Sequence, residues 1–302
     1  MKRSTMLGLA LLLAGALAFF AGYFGGGRDL GALNGSLGPI GISAGRGAGY
    51  AQKEYSVFSA GIMQIVLDES NADVTVIRTG KKPGGSSSDI VVEYQDSADS
   101  ALDITSYNGV LTIKRRERAG IFLWFGDDDL HTELWLPRGL EAELFVETDN
   151  GSITVEEVDL RGDAEFSSDN GAISVKDSRV GELTLDSDNG KLEAANVQCA
   201  SLEAEADNGR VTLSDISAET SLYAKTSNGA ITVDNVSAGK RVELRSSNGS
   251  IRGTLAGSGD DYRIESKTTN GANNLPNDWG KGDILLTIET TNGAIDIQFA
   301  ED

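Results

Sequence analysis

Apolar and polar residues alternate in short runs along most of this chain, and the runs break at a recurring Asn-Gly dipeptide. The dipeptide stands at Asn150, Asn170, Asn189, Asn208, Asn228, Asn248, Asn270 and Asn292, with successive spacings of 20, 19, 19, 20, 20, 22 and 22 residues. Apolar residues keep register with it. Three positions after each Asn stand Ile153, Ile173, Leu192, Val211, Ile231, Ile251 and Ile295, with Asn273 as the exception. Six positions before stand Leu144, Ala164, Leu183, Leu202, Leu222, Val242, Ile264 and Leu286. Asn108-Gly109 extends the series upstream, flanked by Leu102, Ile104, Leu111 and Ile113. Asn71, followed by Ala72 in place of Gly, sits among Ile65, Leu67, Val74 and Val76.

Period-two alternation on both sides of a corner predicts two short strands per repeat. Asn-Gly between alternating runs is also the strongest short-range hairpin signal, so antiparallel hairpins are the structural rival. Persistence of the same columns through eight units favours coils, because stacking one unit on the next buries each column continuously. The expected fold is all-β: a parallel β-helix or β-solenoid of about ten coils with 19–22-residue repeats. On this reading the corner Gly supplies the positive φ of a sharp turn, and the Asn side chains form an amide ladder.

The repeats carry a resemblance. Units of the form S/T-x-N-G-x-I-x-V, such as SDNGAISV at 168–175 and TSNGAITV at 226–233, resemble the bacterial putative-adhesin family of β-strand repeats, a domain of unknown function. The segment LWLPRGLEAELFVETDNGSITV at 134–155 is similar to that family's strand, Pro-basic-Gly turn and first full repeat. The resemblance covers about residues 55–302 and implies a β-solenoid in the bacterial envelope; it supplies no catalytic residues. An apolar insertion at 121–125 and the 22-residue coils near the end depart from its pattern.

Upstream of the repeats the pattern changes. Lys2 and Arg3 precede an uncharged apolar run from Met6 to Phe24, which approaches the roughly 20 residues needed to cross a bilayer. Residues 1–24 read as a transmembrane signal-anchor that contacts the membrane through residues 6–24, with the cations on the cytoplasmic side. A cleaved signal peptide with Ala16-Leu17-Ala18 at its processing site is the alternative. Either way, residues 52–302, the repeat domain, lie in the periplasm or outside the cell. Residues 25–51, with Gly at ten positions, read as a flexible linker.

Charge narrows the function classes. Residues 141–302 hold 31 Asp and Glu against 13 Lys and Arg, a net of −18, whereas the first 140 hold 15 against 13. A repeat region this acidic repels phosphate backbones, which argues against nucleic-acid binding. One Cys and one His exclude a disulfide framework and a zinc site. No Ser-His-Asp or Cys-His set can be built around His131, and Cys199 shares a column with Leu160, Val180, Ala218 and Ala238 that reads as buried. No cofactor motif is present.

Two features remain as candidates. Asp149, Asp169, Asp188 and Asp207 precede four consecutive corner Asn residues. Stacking would set like charges about 5 Å apart at roughly 0.8 kcal/mol per pair, which a divalent cation could relieve or solvent could absorb. In the stretch 114–129, the apolar run Ile121, Phe122, Leu123, Trp124 and Phe125 either folds over the solenoid or forms an exposed tip that contacts a partner. The sequence thus leads to a non-enzymatic envelope module whose partner is an envelope protein or polysaccharide. A carbohydrate-active solenoid, or an accessory in envelope-stress signalling, is the alternative. Charge on the last strand, Asp296 to Asp302, and a polar bulge over Asn273–Trp279 predict a capped, monomeric exported domain.

Overall fold

The computed structural model describes residues 40–44, 51–82, 87–96, 100–117, 121–125 and 130–301. The chain divides into two units. Within the smaller unit, Ile40–Ala44 pairs in parallel with Ile121–Phe125. Residues 40–44, which composition assigns to a linker, are therefore a strand, while the apolar run 6–24 lies outside the described residues.

The larger unit is built from the alternation read in the sequence. Residues before each corner form a first sheet, in which Glu143–Thr148, Ala164–Ser168, Glu182–Ser187 and the strand segments 201–206, 221–226 and 241–246 pair in parallel, one coil to the next. Residues after each corner form a second sheet from Ile153–Glu156 through Ile251–Leu255. A third, shorter side follows, where Cys199 pairs with Ala218 and Ala218 with Ala238. The apolar columns meet inside: Leu144, Ile153, Phe166, Ile173, Leu202 and Ile231 all belong to one continuous buried cluster. Each large aliphatic side chain so buried contributes about 1.5–3 kcal/mol.

Three expectations need correction. The first concerns the corner glycines. None of the eight in the regular corners has a positive φ; the positive-φ residues among those described lie elsewhere. The glycines are needed because coils approach too closely for a side chain. A Cβ on Gly171 would lie 1.8 Å from the Gly151 carbonyl oxygen, on Gly190 1.8 Å from that of Gly171, and on Gly209 1.7 Å from that of Gly190. Each corner thus rests directly on the peptide of the corner before it.

The second concerns Asn108-Gly109, which is not a coil corner. Asn108 and Gly109 have φ of 50° and 80°, and they join Ser100–Tyr107 to Val110–Glu117 as an antiparallel hairpin. Both positive values belong to a two-residue type I′ turn. Leu111 and Ile113 consequently lie in the first sheet beside Ile65 and Leu67, not in the second as the corner assignment requires. The hairpin rival is right at this one site.

The third concerns order. Spatial order departs from chain order at both ends of the stack. Gln64–Glu69 lies between Val110–Glu117 and Glu143–Thr148, so the second coil in space is the first in sequence. At the other end, Ile284–Thr290 inserts between Arg241–Ser246 and Tyr262–Thr268. Ile295–Phe299 likewise pairs with Ile251–Leu255. The C-terminal strand is therefore an interior layer, and the outer one is the coil carrying the polar bulge. That bulge does cover an edge: Asn274 Nδ2 donates to the Ile297 carbonyl at 2.7 Å and Asn274 Oδ1 accepts from Ile297 N–H at 3.1 Å, as a neighbouring strand would. Antiparallel strands close the opposite end, where Ala51–Phe58 pairs with Asp89–Asp96, which pairs with His131–Leu136.

Candidate functional site

The regular corners combine an Asn with, in all but one, a Ser or Thr hydroxyl, and together these hold the surface that the repeats present. The Asn residues form the expected ladder, Oδ1 of each accepting from Nδ2 of the next. It runs from Asn71 through Asn150, Asn170, Asn189, Asn208, Asn228 and Asn248, then Asn292 and finally Asn270, at 2.8–3.0 Å per link. The order of the last two repeats the interleaving of the coils. Two positions before Asn, a buried hydroxyl makes a second ladder. Ser168 Oγ donates to the Gly151 carbonyl at 3.1 Å and accepts from Gly171 N–H at 2.8 Å. Thr226 does the same between Gly209 and Gly229. Ala206 interrupts this column, being aligned with Ser187 on one side and Thr226 on the other.

The four candidate Asp residues, Asp149, Asp169, Asp188 and Asp207, are exposed beside the ladder. Their main-chain carbonyls are engaged, as where Asn170 N–H donates to Asp149 O at 3.0 Å, and the Asp207 carboxylate accepts from Ser227 Oγ at 3.3 Å. Among the described residues no group of three or more His, Cys, Asp and Glu could hold a metal ion. Charge does accumulate one column away. Burial, together with Glu205, Asp188, Asp207 and Glu165, holds the Asp186 carboxyl above the usual carboxylate range. Cys199 is buried, and that burial, with Glu219, pushes its thiol up to about 12, so it is an inert core residue. His131 lies 3.3 Å from Glu133 on a partly exposed strand. For Ile121, Phe122, Leu123, Trp124 and Phe125 only the backbone pairing already given is described.

A second corner, not anticipated from the sequence, lies seven residues after each of five successive Asn residues, Asn150 to Asn228. Glu157, Asp177, Asn196, Asp215 and Asn235 have φ of 50–53°, a left-handed conformation that Asp and Asn tolerate better than other side chains. Their recurrence at one position was the available signal. Asn196 Nδ2 donates to Asp177 Oδ1 at 2.6 Å, and Asn235 to Asp215 at 2.7 Å. Beside this corner an open cleft of about 330 Å³ is lined by Arg78, Arg138, Glu157, Asp159, Asp177 and Arg179, among others. Its acids are engaged: Arg138 Nε meets Asp159 at 2.9 Å and Arg78 meets Glu157 at 3.4 Å.

A family model, Toastrack DUF4097, matches residues 62–298. The chain belongs to the Toastrack DUF4097 family. This is a domain of unknown function, and the match spans both interleaved ends of the stack. Among solved structures, the chain is similar to putative adhesins from Parabacteroides distasonis, Bacteroides fragilis and Parabacteroides merdae. Sequence identities are 12%, 10% and 13%, and TM-scores 0.43, 0.40 and 0.39. The alignments cover 85%, 82% and 86% of this chain and 100%, 97% and 99% of the respective structures. At these scores the likeness carries no argument about function. No curated protein matches the chain.

Proposed function

We propose that this Toastrack chain is a non-enzymatic binding module displayed on the outer side of the cytoplasmic membrane, and that its ligand is an extended envelope polymer. The observation that carries the reading is the outward column of the second sheet. Thr75, Thr154, Ser174, Glu193, Thr212 and Thr232 stand in register there, one per coil. Strand spacing places successive groups about 4.8 Å apart, on a backbone that the two ladders and the corner glycines keep from slipping. A polysaccharide offers hydroxyl groups along its length, and such a column can hydrogen-bond several of them at once. Display outside the membrane rests on Lys2, Arg3 and the apolar run that follows. The paired acids of the Arg-rich cleft favour binding over acid–base chemistry, since a general acid or base must be free to exchange its proton.

The test is retention of the full-length chain on purified envelope polysaccharide, with and without Thr154→Glu, Thr212→Glu and Thr232→Glu together. These side chains are half-buried on the outward column, so the fold should persist with a stability loss of only about 0.8 kcal/mol for each like-charged neighbour created in the column, while retention falls at least about tenfold, or about 1.4 kcal/mol. Equal retention would remove the column from the binding surface. Release of new reducing ends by the unaltered chain would turn the reading to a carbohydrate-active enzyme.

A further inference from the structure

The sequence contains ten Asn-Gly dipeptides. Such a pair is chemically labile. The glycine main-chain nitrogen can attack the Asn Cγ, expelling ammonia and closing a succinimide, which water then opens to aspartate or isoaspartate. Loss of ammonia and gain of water balance the step, and it needs no oxidant, metal or enzyme. A folded chain prevents it by fixing the side-chain amide and by engaging the glycine N–H.

Eight of the ten pairs are fixed in this way. Their Asn amides are all links of the ladder. In four of them the glycine N–H also donates to the hydroxyl two residues before the Asn, at Thr148, Ser168, Ser187 and Thr226. Direct contact between successive corner peptides leaves little room for the rotation that ring closure requires. Asn34-Gly35 lies outside the described residues.

Asn108-Gly109 differs in every respect. Asn108 is exposed at the tip of the hairpin. Among the described residues neither its amide nor the Gly109 N–H has a hydrogen-bond partner, and in a two-residue turn that N–H lies outside the closing bond. We propose that Asn108 is a built-in deamidation site, the position at which the folded stack converts to aspartate and isoaspartate while the ladder remains intact. The product has a structural consequence. Gly109 O accepts from Met63 N–H at 2.7 Å and from Gln64 N–H at 3.2 Å, which seats the hairpin on the next coil. Isoaspartate adds a methylene to the main chain beside this anchor and loosens strand 100–107, the outer layer of the first sheet.

Ageing the full-length chain in mildly alkaline buffer and mapping its peptides by mass spectrometry tests the proposal, with a parallel sample in denaturant. In the folded sample Asn108 should convert at least about tenfold faster than each ladder Asn, and the difference should collapse in denaturant. Hydrogen exchange of residues 100–107 should rise in step with conversion. Any ladder Asn that keeps pace with Asn108 in the folded sample, or an Asn108 that stays intact there, would overturn it.

Discussion

The corner at Asn150 and the corner at Asn71 occupy neighbouring layers of one stack, yet they are built on different principles. In the regular coils the residue two before Asn carries a hydroxyl, Ala206 excepted, and the residue after it is Gly. At the outer corner the aligned residues are Glu69 and Ala72. Glu69 is 0% exposed and takes both Nε and Nη2 of Arg115 at 2.8 Å, with Thr132 Oγ1 at 2.5 Å. Arg115 completes its bonding with the Gln95 carbonyl at 2.8 Å. The reason lies in what each corner rests on. Gly151 faces the Ala72 carbonyl across a gap too short for a Cβ, whereas on the other side of Asn71 the strands Gln64–Glu69 and Asp73–Arg78 pair with Val110–Glu117 and His131–Leu136. Among the described residues no Asn-Gly corner joins those two strands; Ala72 carries its methyl group there, and the Glu69–Arg115 pair stands in place of the hydroxyl ladder. A stack interior can be sustained by repetition, whereas its end requires particular partners.

The largest effect should come from breaking that end. Arg115→Met leaves Glu69 charged and buried with one hydroxyl donor, which should cost about 3–5 kcal/mol. Denaturant unfolding of the full chain measures it. Adding Glu69→Thr rebuilds the hydroxyl of the regular corners and should restore most of the loss, since replacing a buried pair entirely is often close to neutral. A double variant as weak as the single one would mean that the ion pair does more than substitute for the ladder.

Next in size is the glycine contrast. Gly190→Ala forces a methyl carbon onto the Gly171 carbonyl and must spread two coils, at about 3 kcal/mol or more. Ala72→Gly at the outer corner removes only one methyl and should cost about 1 kcal/mol. Gly139, whose φ is 67° with nothing within 4 Å of an added Cβ, tests the other explanation: Gly139→Ala should lose about 1–2 kcal/mol through backbone strain alone. If Gly190→Ala is no worse than Gly139→Ala in thermal unfolding, close approach is not what the corner glycines serve.

The same contrast explains what the sequence could reveal. From residue 143 to 255 chain order equals spatial order, so apolar columns, Asn ladder and coil stacking could all be read from spacing. The two interleaved ends could not be read. A column records which face a residue occupies, not which layer lies beneath it, and Ile65 fits its column equally well in the first or second position. Asn108 was misplaced because a two-residue hairpin and a coil corner share the dipeptide. The distinguishing sign was length, with eight residues paired on each side of the turn. The role of the Ser/Thr two before Asn was visible only as a repeated letter, because its meaning depends on the carbonyl of the preceding coil. Of the candidate site, the Asp column lies at the surface as a repeat should place it, while the cleft at the second corner joins Arg78 and Arg138 to Arg179 across layers that are not consecutive in sequence.

A smaller change would improve the interior. Ala206 is the one regular corner without a hydroxyl, and it is buried between Ser187 and Thr226. Ala206→Ser should place Oγ between Gly209 N–H and the Gly190 carbonyl, as Ser187 does one layer away. The expected gain is about 1 kcal/mol, read as a raised denaturant midpoint at constant m-value. A loss instead would show that the spacing of this layer has adapted to alanine.

The smallest expected effect is a response to acid that has opposite signs in two parts of the stack. In the middle coils Asp186 carries a raised pKa, from burial first and then from Glu205, Asp188, Asp207 and Glu165. The folded state therefore binds this proton more tightly than the unfolded chain, whose value is 3.8, so its charge opposes folding at neutral pH and that penalty is relieved as pH falls through the folded pKa. In the later coils Glu243 is shifted the other way. Burial alone would raise it, but hydrogen bonds from Arg245 and Arg241 outweigh burial and hold its pKa below 4.5. Its stabilisation is present above 4.5 and is lost as pH falls through the lowered value. As pH falls from neutrality toward 3.8, the unfolded value of Asp186, strands 182–187 and 201–206 should become better protected in hydrogen exchange, while strand 241–246 keeps its protection down to about 4.5, the unfolded value of Glu243. Further acidification should weaken the latter. Salt should reduce both effects, because these side chains are partly solvated. Asp186→Asn should abolish the first response and leave the second, and an unchanged acid response in that variant would remove Asp186 as its source.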